Sequence, residues 1–125
     1  MPILSIFNPD ILTGGDGNDT IRCEHGGDII DGGAGSDNLF GANSGGRDTF
    51  VLMTDLTTTE RNIIRDFELG TDRLGVSDLS VVNELSVMSN ANNTASIITN
   101  GSGEQVAILT GVTVPGINQL RFVEV

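Results

Sequence analysis

Gly14–Arg22 reads GGDGNDTIR and Gly32–Phe40 reads GGAGSDNLF. The two stretches lie 18 residues apart and share one nine-residue pattern. It has a glycine pair, a third glycine at the fourth place, an aspartate at the sixth and a large apolar residue at the eighth. Outward from them the last two features recur. Asp10, Asp19, Asp28, Asp37 and Asp48 follow at spacings of 9, 9, 9 and 11, and two residues after each comes Leu12, Ile21, Ile30, Leu39 or Phe50. A period of nine fits neither an α-helix nor a plain strand. It fits a coil that alternates a tight turn with a very short strand, and internal repetition of this kind decides the architecture.

The residue types explain the spacing. Glycines let the turn backbone take positive φ and aim successive carbonyl oxygens at one point. The aspartate adds a charged oxygen, and the triplet after it is a minimal strand whose middle side chain points inward. If two nine-residue units close one turn of the coil, each unit stacks on the next but one. Stacked strands lie about 4.8 Å apart. That pairs loop Gly14–Asp19 with Gly32–Asp37 on one side, and sets Ser5–Asp10, Cys23–Asp28 and Gly41–Asp48 in a ladder on the other.

The flanking units are weaker copies. Ser5–Thr13 keeps only its aspartate and apolar residue, Cys23–Asp31 has Cys and Glu in place of the glycine pair, and Gly41–Val51 carries a two-residue insertion. Glycine-and-aspartate-rich stretches are often ordinary turns or linkers. Two complete copies with five in-phase aspartate/apolar pairs argue against that.

The nonapeptide G-G-x-G-x-D-x-U-x, with U large and apolar, resembles the calcium-binding repeat of the hemolysin-type (RTX) family. The resemblance implies an all-β fold, a right-handed parallel β-roll over residues 5–52, with Ca2+ held between stacked loops. Calcium takes about 6–8 hard oxygen ligands, roughly what two such loops supply. The expected ligands are the carboxylates of Asp19 and Asp37, an oxygen from Asp16 or Asn18, and the carbonyls of Gly14, Gly33, Ala34 and Gly35. Asp28 with Asp48, and Asp10 with Asp28, form secondary candidate sites in the degenerate loops. The family resemblance further implies a secreted or cell-surface module, exported by a leaderless type I route, whose folding is switched on by calcium.

Beyond residue 52 glycine thins out and β-branched residues take over, and residues 53–125 read as a β-rich antiparallel capping region, either separate from the roll or one continuous domain with it. Strands are expected at Asn62–Phe67, Arg73–Val76, Leu85–Met88, Thr94–Ile98, Val106–Leu109 and Phe122–Val125, with single helical turns near Ser80–Leu85 and Ile117–Leu120. Asp66–Phe67, Gly70 and Asp72 form D-F-x-x-G-x-D, which resembles the segment after the last repeat in RTX proteins. Asp66 or Asp72 is a candidate ligand for a terminal ion, or a turn-stabilising carboxylate.

Composition agrees with a cation-binding role. The chain of 125 residues carries 17 acidic residues against 6 arginines and no lysine, a net charge of −11. That argues against nucleic acid, whose phosphates need cationic contacts, and no apolar run is long enough for a membrane span. Nothing points to catalysis. The single histidine, His25, lies in a degenerate loop two residues from the single cysteine, Cys23. The pair has no evident third group to orient it, and zinc would want three or four ligands. The competing expectation is an interaction or oligomerisation protein, a homo-oligomer included, in which calcium is purely structural. The sequence names no protein partner.

Overall fold

The computed structural model describes residues 2–5, 11–23, 26–41, 46–52 and 61–125. Among these residues twelve strands run in order: β1 (Pro2–Ser5), β2 (Ile11–Thr13), β3 (Thr20–Cys23), β4 (Ile29–Asp31), β5 (Asn38–Phe40), β6 (Thr49–Val51), β7 (Asn62–Arg65), β8 (Arg73–Val76), β9 (Ser86–Ser89), β10 (Ala95–Thr99), β11 (Gln105–Thr110) and β12 (Phe122–Glu124). Short 3-10 turns occupy Leu79–Glu84 and Ile117–Gln119. Among the described residues no helix is long and apolar enough to cross a membrane.

From β1 to β8 successive strands go alternately to two sheets. One has seven strands in the order β1-β3-β5-β7-β11-β10-β9, the other five in the order β12-β8-β6-β4-β2. Pairing within the roll is parallel, with Ile21 beside Leu39 and Leu12 beside Ile30. This is the all-β parallel roll that the nine-residue period predicts. Strands of three or four residues alternate outward and inward, and the middle residue of each triplet is the inward one. Ile21, Ile30, Leu39, Phe50, Ile64 and Leu74 are 0% exposed and stack into one core between the sheets. Burying each stabilises the fold by about 2 kcal/mol.

The parallel coil does not stop at residue 52. Leu39 pairs with Ile64 and Phe50 with Leu74, so β7 and β8 are two further rungs. Beyond them β11 pairs parallel with β7, and β12 parallel with β8. Among the described residues antiparallel pairing is confined to β9, β10 and β11. A rung unexpected from the sequence, β1, pairs with β3 at the opposite end. Polar turns at 68–72, 90–93 and 100–104 connect β7 to β8, β9 to β10 and β10 to β11.

Candidate metal centre

The loops between rungs are built on a five-residue unit, glycine-x-aspartate-x-apolar. Gly17, Gly26, Gly35 and Gly70 each stand two residues before a buried aspartate and take φ of 99°, 102°, 114° and 89°. Gly15 and Gly33 add a second positive φ within the two complete loops. These torsions turn alternate peptide groups over, which a residue with a Cβ does only at a cost.

The same glycines permit contact between loops. A Cβ on Gly33 would strike the Gly15 carbonyl oxygen, and one on Gly35 the Gly17 carbonyl oxygen. Loop 32–37 therefore lies directly on loop 14–19, with backbone carbonyls packed between them. In the other ladder a Cβ on Gly46 would strike the Gly26 carbonyl oxygen.

The aspartates tie successive coils together. Asp19 N–H donates to Asp37 Oδ1 at 2.8 Å, and Asn38 N–H donates back to the Asp19 carbonyl at 2.8 Å. Asp37 N–H donates in turn to Asn62 Oδ1 at 3.1 Å. On the other side Asp28 N–H donates to Asp48 Oδ1, and Asp48 N–H to Asp72 Oδ1, both at 3.0 Å. All six of these side chains are buried. One carboxylate oxygen of each accepting aspartate is thus used within the fold. At Asp37 the other, Oδ2, is buried without a hydrogen-bond partner.

Such carboxylates ionise reluctantly. Burial, followed by the negative charges of Asp72, Asp28 and Glu68, raises Asp48 to about 6, against the lowering effect of its bond from Asp28 N–H. Burial also raises Asp37, whose bond from Asp19 N–H opposes the shift while the charges of Asp19 and Asp31 add to it. Asp72 is raised by burial too. A cation between the loops would reverse these costs.

The expected ligands fall as follows. Asp19 and Asp37 are brought together, as are Asp28 and Asp48. Gly14, Gly33, Ala34 and Gly35 are partly buried in the stacked loops, whereas Asp16 is exposed. Asn18 is exposed as well, and its Oδ1 bridges to Ser36 N–H at 2.9 Å. Asp10, Glu24 and His25 lie outside the described residues, and Cys23 points into the core. Asp66 is exposed at φ 62°. Asp72 stabilises its turn, accepting from Glu68 N–H through Oδ2 at 2.8 Å while Oδ1 serves Asp48.

Asn62 takes the aspartate's place in a third rung, a role not anticipated from the sequence. Its signal was the spacing to Ile64, the same two residues that separate each repeat aspartate from its apolar partner. Among the described residues no three His, Cys, Asp or Glu side chains gather as a metal-binding group. An ion here would take most of its ligands from carbonyls, and the stacked glycine loops with the orphaned Asp37 oxygen fit a hard cation of that kind.

Fold and loops together define a parallel β-roll of glycine-aspartate repeats. The model of the peptidase M10 serralysin C-terminal region matches residues 10–113, and the chain belongs to that family, whose β-roll is of the RTX type. The solution structure of the AlgE6R2 subunit from the mannuronan C5-epimerase of Azotobacter vinelandii is similar as well. It is 28% identical, with a TM-score of 0.55, over 90% of this chain and 85% of that one. No curated protein matches.

Proposed function

We propose that this chain is a calcium-binding β-roll module that completes its fold on meeting calcium outside the cell. The observation that carries the reading is Asp37. Its buried Oδ2 lacks a hydrogen-bond partner beside two glycine loops stacked through their carbonyls. Burying such a charge uncompensated is costly, and a divalent cation compensates it. Asp19, Asp37 and the carbonyls of loops 14–19 and 32–37 are the proposed ligands, with Asp28 and Asp48 in a second ladder. When bound, the ion supplies positive charge and coordination that cross-link two coils of the roll.

The family match and the likeness to a subunit of a mannuronan epimerase support a module of this type. The proposal gives the chain no catalytic role, since the paired aspartates are engaged in holding the coils. With few carboxylates per ion and glycine-rich turns to order, the Kd should be on the order of 10⁻⁴ M, which suits extracellular calcium. Isothermal titration with calcium, alongside circular dichroism with and without chelator, tests it. Heat of binding together with a gain of β signal is expected. Identical spectra and melting temperatures in both conditions would overturn it.

A further inference from the structure

We propose that the outer face of the seven-stranded sheet docks an acidic, amphipathic peptide segment of a partner protein. Charge distribution is the first ground. The chain carries 17 acidic residues, yet none lies in any of the seven strands of this sheet. Two of the six arginines, Arg22 and Arg65, lie in its strands, while one residue outside the strands stand Arg61 and the acidic Asp19, Asp37, Asp66 and Glu104. Arg22, Phe40 and Arg65 sit side by side on β3, β5 and β7. The Arg22 Cζ lies 4.2 Å from the Phe40 ring centroid, and the Arg65 Cζ 5.7 Å from the same ring. Arg61, one residue before β7, is held by Gln105 Oε1 at 2.8 Å. It lines a cavity of about 410 Å³ with Ser36, Asp37, Asn38 and Ile63. Guanidinium groups fixed in this way are suited to carboxylates.

An apolar row is the second ground. The register sets Ile63, Ile108, Ile97 and Met88 in line across β7, β11, β10 and β9. None of the four belongs to the core or packs against it, and Met88 is 59% exposed. The row begins next to the arginines and continues away from them. From β3 to β9 the face spans about 24 Å, enough for some seven extended residues. A partner matching it presents carboxylates at one end and apolar side chains at the other, which is peptide chemistry. An anionic polysaccharide would engage the arginines and leave the apolar row uncovered. Arg and Met are enriched at protein interfaces, and the Arg22 and Arg65 guanidiniums, set on either side of Phe40, attract carboxylates at short range.

Fluorescence anisotropy of a labelled peptide with glutamates in one half and leucines in the other tests this. Calcium-containing buffer keeps the outcome separate from that of the calcium titration. Saturable binding is expected, weakened about tenfold or more by Arg22→Glu with Arg65→Glu, and weakened also by Met88→Lys, an exposed change that leaves the core alone. No binding, or binding indifferent to both variants, overturns the proposal. So does arginine-dependent binding of an oligouronate that ignores Met88→Lys, since that places a polysaccharide on this face.

Discussion

Asp37 Oδ1 accepts the backbone N–H of Asp19, 18 residues earlier and one coil away, at 2.8 Å. The repeat aspartate therefore has two roles that substitution can separate. One oxygen satisfies a buried main-chain donor of the neighbouring coil, and the charge it brings waits for a cation. A neutral residue of the same shape can do the first and not the second.

Asp37→Asn keeps the acceptor and removes the buried charge. Without calcium this variant should melt at or above the wild-type temperature. Asp37→Ala leaves the Asp19 N–H buried without its acceptor and should lose about 1–3 kcal/mol. With calcium at a hundredfold excess over Kd, both should forfeit the roughly 2.7 kcal/mol that one ion contributes. Thermal melts in the two buffers decide it. If Asp37→Asn responds to calcium as fully as wild type, the carboxylate is no ligand.

Two glycine substitutions separate backbone strain from loop contact. Gly103 has φ 83° with open space where a Cβ would go, so Gly103→Ala should cost only the strain, about 1–2 kcal/mol. Gly35 has φ 114°, and its added Cβ would strike the Gly17 carbonyl oxygen. Gly35→Ala should lose more and weaken calcium binding as well, because the two loops must part. Equal losses in denaturant titrations would mean that the loops are not in contact.

The five aspartate/apolar pairs made the coil legible. The two complete nonapeptides gave the right stacking partner, as the Ile21–Leu39 register shows. The continuation through Asn62–Ile64 and Asp72–Leu74 was harder to read. There the step between stacked rungs lengthens from 18 residues to 25 and 24, as at Asp37 to Asn62 and Asp48 to Asp72. Counting by nines fails because loops can lengthen at little thermodynamic cost while strands keep their register. The offset of two between polar and apolar residue persists, since it is fixed by the strand itself. The hydrogen bond that each of Asp37, Asp48 and Asp72 accepts from a backbone N–H of the previous coil could not be read from local sequence at all. It exists only once the coils are stacked.

Asn62 offers a check on that continuation. It lies outside both nonapeptides, yet its Oδ1 accepts Asp37 N–H and its side chain is buried. Asn62→Ala should destabilise the fold by about 1–3 kcal/mol with the number of bound calcium ions unchanged. Chemical denaturation gives the first quantity and calorimetric stoichiometry the second. A stability within error of wild type would remove Asn62 from the ladder.

The pH response of the calcium-free protein should run opposite to that of a fold held by ion pairs. Asp48 is raised to about 6, and Asp37 and Asp72 are also raised, by burial first and by neighbouring negative charge second. The charged groups facing Asp48 are Asp28, Asp72 and Glu68, all negative. A folded-state pKa above the unfolded value means that the native chain holds protons more tightly than the unfolded one. Stability is then greatest in acid and falls as pH rises from near 4 through about 6. Calcium favours the ionised carboxylates, so saturation should reverse the order and make neutral pH the more stable condition. Melting temperatures of calcium-stripped protein at pH 5 and pH 7.5, repeated with calcium, test both signs. A calcium-free chain that melts higher at pH 7.5 than at pH 5 would show that these aspartates are already compensated within the fold.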